Sequence, residues 1–283
     1  MARHAPHPAA NPMIHRLASW WQERSAAKAL ARYSTADWDL AWAGLPMLAG
    51  LDQVQAVQLR TLAALFLRSK TIEEVQGVRL TAHQHLTIAL QACLPILGLD
   101  LGWYRGWYAV IVYPEEFAPK QERMDEDGVV WVEREIKSGE AWEQGPVILS
   151  WADVAAGEAR DGYNVVIHEL AHKLDMLNGD ANGYPPLHAD MSHAAWASDL
   201  GDAYAHLSRR VRRGRQTAID PYGAESPGEF FAVCSEAFFE LPHLLRDAYP
   251  SVYAQLVAFY RQDPADRLEP MDPYEALSAN ERE

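Results

Sequence analysis

Two histidines four residues apart, His168 and His172, lie in the stretch NVVIHELAHKLD over residues 164–175, with Glu169 directly after the first. A helix turns once in 3.6 residues, so this spacing puts both imidazoles on one face, one turn apart. Two imidazoles so placed can bind one tetrahedral zinc ion at about 2.0–2.1 Å each. Glu169 is rotated about 100° from His168. It can reach a water at the metal without being a ligand, which is the position of a general base. Chance yields a HExxH pattern in roughly 3 of 100 chains with this histidine content. Context therefore has to decide. The apolar YNVVI ahead of the motif holds such a helix in a core, and the strand-like GPVILSW (145–151) precedes it.

The third ligand must come from another element, because one straight helix cannot easily wrap three ligands round a tetrahedral ion. Asp175, three residues after His172, shares the face. It suits accepting a hydrogen bond from a ligand histidine, and it equally suits a surface acid; both readings stand. No histidine occurs at 178 or 179, which are Asn and Gly, so the long HExxHxxGxxH pattern is excluded. Downstream, SPGEFFAVCSEAFFE (226–240) starts a helix with Ser226 as cap, Pro227 in the first position and Glu229 three after the serine. That is a capping box, a purely structural use of Glu229. The rest of the helix is strongly apolar, yet Glu236 falls seven residues after Glu229 on the same face. Two aligned acids on a buried helix need a compensating charge, and zinc with its histidines supplies one. The preferred reading makes Glu229 the third ligand and Glu236 the acceptor behind a ligand histidine.

These residues need a scaffold. Helical patterning is expected from Ile14 to Tyr33, anchored by Trp20 and Trp21, and again from Leu59 to Leu67. A third helix is expected from Leu80 to Leu97, capped by Thr81 and stopped near Pro95. Its His83 and His85 read as capping or solvated side chains. WYAVIVYP (107–114), GVVWVERE (128–135) and GPVILSW are branched, aromatic and bounded by turn formers, the pattern of strands in a small sheet. Helical texture returns from Asn164 to Gln262. Helices, then strands, then helices make the class α+β. One domain over 14–270 is expected, with tails at 1–13 and 271–283; the Ala-, Pro- and His-rich first thirteen residues read as disordered.

The chain has 283 residues, 49% hydrophobic and 23% charged, enough to bury a substantial core. Its formal net charge of −14 argues against binding along nucleic acid or an anionic membrane. The basic run SRRVRRGRQ (208–216) reads as a solvated helix end, with an anionic contact as the alternative. Cys93 and Cys234 form no CxxC pair and read as buried free thiols. No apolar run is long enough to span a bilayer, and the N-terminus lacks the apolar core of a signal peptide, so the expected compartment is the cytoplasm.

Three long segments carry a family resemblance: GEAWEQGPVILSW (139–151), DGYNVVIHELAHKLDMLNG (161–179) and IDPYGAESPGEFFAVCSEAFFE (219–240). Through them the sequence resembles the Mlc titration factor A family of zinc metallopeptidases, whose catalytic core is similar to the protease domain of anthrax lethal factor. The resemblance implies a zincin-like core with helices around a small mixed sheet. It implies one zinc ion per chain on His168, His172 and Glu229, with Glu169 as base. Tyr222, seven residues before Glu229, matches a tyrosine that assists in the family core and whose phenol would donate to a developing oxyanion. Aminopeptidase-type activity on small peptides and binding of the repressor Mlc are implied as well. The resemblance does not cover the N-terminal segment well, and the basic run falls in a part of it that carries no family motif. Two rivals remain: a non-catalytic protein that sequesters a transcription repressor, and a deformylase-like hydrolase using Cys93 with the two histidines.

Overall fold

The computed structural model describes residues 27–114, 121–124, 130–133, 145–157 and 159–271. The tail expected at 1–13, all but the first residue of the tail expected at 271–283, and residues 14–26 of the helix expected from Ile14 to Tyr33 lie outside the described residues. Residues 27–30 are helical, within the helix expected from Ile14 to Tyr33, and the helices that follow are α1 (Thr35–Ala43), α2 (Gln53–Ser69) and α3 (Ala82–Cys93). Each opens with a capping box: Ser34 with Asp37, Asp52 with Gln55, and Thr81 with Gln84. Two otherwise orphaned N–H groups are satisfied reciprocally at every start. Thr81 is thus the cap that its sequence position suggests. The helix ends at Cys93, two residues short of Pro95, which cannot donate to continue it.

Strands β1 (Thr71–Glu74), β2 (Ala109–Tyr113) and β5 (Val147–Ser150) form a parallel sheet in the order β1-β2-β5. Strands β3 (Gln121–Met124) and β4 (Val130–Glu133) pair antiparallel in a separate ladder. The class is α+β, with the two senses of pairing divided between two sheets. Strand β1, TIEE, has no apolar run to announce it; its pairing with β2 alone makes it a strand. Val110 and Val112 of β2 stand beside Val147 and Leu149 of β5, all four buried. Among the described residues β5 pairs only with β2 and is an edge of its sheet.

The rest is helical: α4 (Trp151–Ala156), α5 (Val165–Asp175), α6 (His193–Arg212), α7 (Pro227–Glu240), α8 (Pro242–Ala248) and α9 (Pro250–Tyr260). The last three begin with Pro at a first-turn position, where its missing N–H costs nothing. The expected continuous helical texture is interrupted over 176–192. There Asp175 accepts from Gly183 N–H (2.7 Å) and Tyr184 N–H (2.8 Å). Gly183 has φ +75°, and a Cβ on it would meet the Pro227 carbonyl oxygen at 2.5 Å, so only glycine lets this loop lie on the start of α7.

Helix α7 is the centre of the molecule: every residue from Gly228 to Glu240 is buried. Phe231 packs against Trp196, Phe259 and Tyr260, with ring centroids 6.0, 5.9 and 6.5 Å away. Tyr260 donates to Ser235 Oγ, which donates to the Phe231 carbonyl, both at 2.7 Å. Cys93 and Cys234 are buried free thiols. The basic run forms the last turn of α6 and the bend after it. Arg210 donates to the Gln216 carbonyl, while Arg209, Arg212, Arg213 and Arg215 are exposed, where cations suit a helix C-terminus. No helix of the described residues is long and apolar enough to cross a membrane.

Phe231→Ala should cost about 3–5 kcal/mol of unfolding free energy, because the aromatic cluster cannot collapse into the space left. Urea denaturation measures it. A loss below about 1 kcal/mol would show that α7 is not the packing centre.

Candidate metal centre

Helix α5 presents the HExxH residues because Asn164 caps it. Asn164 Oδ1 accepts from Ile167 N–H at 2.9 Å, which starts the helix with His168 one turn in. Val166, Ile167, Leu170 and Leu174 are buried and hold it in the core. Lys173, one turn past Glu169, is buried and donates to the Gly145 carbonyl at 2.9 Å. That bond ties the helix to the approach of edge strand β5.

Helix α7 crosses opposite and brings its acids to the histidines. His168 Nε2 lies 3.0 Å from Glu229 Oε2, His172 Nε2 lies 3.3 Å from the same oxygen, and the two Nε2 atoms are 3.2 Å apart. A tetrahedral ion with ligands at about 2.0–2.1 Å has ligands separated by about 3.3 Å. The three side chains form the one His/Cys/Asp/Glu group of metal-binding geometry among the described residues. Ser226 Oγ accepts from Glu229 N–H at 3.1 Å, so the serine half of the capping box exists. The Glu229 carboxylate lies against the histidines.

The chemistry of this donor set fits a cation. His168 Nδ1 faces Glu236 Oε1 at 2.7 Å. A carboxylate only accepts, so the proton sits on Nδ1 and Nε2 of a neutral ring carries its lone pair. That lone pair and Glu229 Oε2 then point at one place, which is unfavourable unless a positive charge stands there. Without a metal, a proton answers. Burial lowers the His168 pKa, but hydrogen bonds to Glu229 and Glu236, and the charges of Glu236 and Glu169, lift it well above its usual value. Burial raises Glu229, and its two histidine partners outweigh burial, taking the carboxyl down to about 2. The shared place between the two imidazoles and Glu229 therefore favours a positive charge.

Glu236, 2% exposed, also accepts from Asn164 N–H at 2.5 Å. It therefore stands where a carboxylate orients a ligand histidine and fixes its tautomer. Asp175 does not stand in such a place. Its oxygens accept from Gly183 and Tyr184, while His172 Nδ1 is buried without a hydrogen-bond partner. The loop after α5 offers two N–H donors in the direction a helical acid at its end must point, and that settles the side chain. Burial pushes the Asp175 carboxyl up to about 6 against the pull of those donors.

Glu169 is half-buried, and its charge reaches His168, Lys173 and Tyr222. Tyr222 sits on a short 3-10 turn, Pro221–Ala224, with its ring centroid 6.0 Å from that of His168 and 42% of its surface exposed. Partial burial and then the charges of Glu229 and Glu169 raise its phenol to about 12, so it stays a donor at neutral pH. Cys93 is buried at the end of α3 and belongs to no metal-binding group, which removes the support for a cysteine-based hydrolase. Two residues escaped the sequence reading: Asn164 and Glu240. The signals were present. Asn164 directly precedes an apolar helical run, and Glu240 follows Glu236 by four on the same helix face.

A helix bearing HExxH, completed by an acid from a second buried helix, defines a protein of the HExxH metal-site class. The model of the glucose-regulated metallo-peptidase M90 family matches residues 18–261, and the chain belongs to that family. It is 38% identical over 237 residues to Mlc titration factor A of Escherichia coli (strain 55989 / EAEC), covering 83% of this chain and 89% of that one. It is 41% identical over 236 residues to Mlc titration factor A of Salmonella arizonae, covering 82% and 92%. The Cronobacter sakazakii protein of that name is 40% identical over 233 residues, covering 82% and 88%.

Glu229→Ala and Asp175→Ala separate ligand from loop anchor. The first should abolish tight metal binding, since two protein ligands leave the site incomplete. The second should lower the melting temperature and leave binding within tenfold, roughly the least expected of a direct supporting residue. Titration against a competing chelator, with thermal melts alongside, decides; the reversed pattern would make Asp175 the ligand.

Proposed function

We propose that this chain is a zinc-dependent peptidase with a zincin-like core. His168, His172 and Glu229 hold the metal, and Glu169 is the general base. One observation carries the reading: three ligand atoms from two buried helices converge within 3.0–3.3 Å of one another. When bound, zinc polarises a peptide carbonyl and makes water acidic enough to attack near neutral pH. Glu169, adjacent to His168 and half-buried, takes the proton of the attacking water and later delivers it to the departing amine. Glu236 keeps the His168 proton on Nδ1 and so leaves Nε2 free to bind. The Tyr222 phenol, protonated and beside His168, donates to the negative oxygen that develops on the carbonyl. An extended peptide lies along the edge of β5 by adding a strand, with Lys173 holding that edge beside α5.

Aminopeptidase-like cleavage of small peptides is the specificity we assign, on the family resemblance. The relatives' name, Mlc titration factor A, supports a second reading in which the chain also binds Mlc or a similar repressor. The presence of Glu169 favours catalysis, since a pure binding scaffold needs no base.

Glu169→Gln tests the enzyme. The variant should keep its fold and stoichiometric zinc, measured by elemental analysis, and lose about 10²-fold or more of peptide hydrolysis. A peptide-library digest run beside wild type gives the rate and the cleavage preference together. Equal rates in the two proteins would remove Glu169 from the mechanism.

A further inference from the structure

The segment leading into α5 is bent twice into the left-handed region: Arg160 has φ 52° and Gly162 has φ 94°. A Cβ at Gly162 would lie 2.9 Å from Leu241 Cδ1. A left-handed non-glycine residue is strained, so its surroundings must dictate it. The end of α7 does so. Arg160 Nε donates to the Glu240 carbonyl at 3.0 Å, and Gly162 N–H donates to Glu240 Oε2 at 3.1 Å. Asn164 Nδ2 donates to Glu240 Oε1 at 3.0 Å. Glu240 is fully buried, and the mechanism above makes no use of it.

Asn164, also fully buried, has all four of its polar groups engaged. Its N–H donates to Glu236 Oε2 at 2.5 Å, and its carbonyl accepts from His168 N–H at 2.9 Å. Its Oδ1 accepts from Ile167 N–H, and its Nδ2 donates to Glu240. An asparagine amide has one donor end and one acceptor end. The cap needs the acceptor end at Ile167, so the donor end must find an acceptor in the core. Glu240, at 3.0 Å, is the nearer of its two acceptors, the Gly157 carbonyl lying at 3.5 Å.

We propose that Glu240 and Asn164 are positioning residues of the metal site. Glu240 locks the Asn164 amide in the one orientation that caps α5 and aims its main-chain N–H at Glu236, and Glu236 holds His168. The inference rests on the metal-site reading above. It extends the chain of support two residues beyond the ligands, from His168 through Glu236 and Asn164 to Glu240. Burial pushes the Glu240 carboxyl well above its usual range, while its N–H donors act in the opposite sense.

The link can be reversed in polarity, which gives its test. Asn164→Asp keeps the cap and both main-chain bonds but sets an acceptor against Glu240. Glu240→Gln keeps the volume but sets an N–H₂ group against one of two N–H donors. Combined, the two substitutions restore the bonds to residue 240: the glutamine oxygen accepts from Gly162 and its amide donates to the aspartate, leaving only the long contact to the Gly157 carbonyl unmatched. Zinc affinity is measured by chelator competition on purified full-length protein, with the cobalt absorption spectrum and thermal melts. Each single variant should bind zinc about 10–100-fold more weakly, the range for residues that orient a metal ligand. The double variant should return to within a few-fold of wild type and regain its cobalt spectrum. Leu59→Ala, in the buried face of α2, should lower the melting temperature with zinc affinity unchanged. Single variants at wild-type affinity, a double variant no better than the sum of its parts, or an equal affinity loss in Leu59→Ala would each overturn the proposal. If wild type itself takes up no zinc, the metal reading falls and this inference with it; if wild type binds and the variants bind equally, this inference alone falls.

Discussion

Helix α7 carries three carboxylates, Glu229, Glu236 and Glu240, down one face of a helix buried at every residue from Gly228 to Glu240. Taking a carboxylate out of water costs several kcal/mol unless partners replace the solvent. Among the described residues no lysine or arginine nitrogen lies in ion-pair contact with any of the three, and only the Arg160 charge reaches Glu240 from further off. The partners come from α5 and the bend before it: two imidazoles, two main-chain N–H groups and one side-chain amide. The two helices must therefore pack in one register, because a shift of either strands several buried polar groups at once. The metal-binding geometry is the outer end of that arrangement.

Precision in the site follows from where each support stands. Glu236 fixes the tautomer and tilt of His168, and Asn164 fixes the start of the helix that carries both histidines. Glu229 has its own main-chain N–H held by Ser226, so its carboxylate leaves a capped helix start at a defined place. His172 has no such second partner on Nδ1, so its orientation rests on packing and on what binds Nε2. Tyr222 stands on an exposed turn beside His168 and is not part of the core.

Asp175 and Glu229 show how one residue type divides by context. Both are acids near the histidines in sequence or space, and each had a structural and a functional reading. The loop after α5 returns two N–H groups to Asp175, and the closeness of Gly183 to Pro227 fixes that loop on α7. Glu229 meets no such loop; its nearest partners are the two imidazoles. Local spacing put both acids within reach, and only the path of the chain between 176 and 192 distributed them.

Much of the molecule is legible in one dimension because its rules are local. Helix periodicity and caps identify Thr81 and Ser226 as helix starts, and four-residue spacing puts His168 and His172 on one face. Alternating branched residues identify β2 and β5. The seven-residue interval between Glu229 and Glu236, on an otherwise apolar helix, tells that the charge must be answered. What the sequence does not contain is the answer's identity. That Glu236 meets Nδ1 of His168, that Asn164 joins Glu236 to Glu240, and that TIEE becomes a parallel strand are contacts between segments roughly 40 to 80 residues apart. Such pairings depend on how two helices cross and where a sheet ends, and a buried charge takes its partner from whichever element the crossing brings within hydrogen-bond reach.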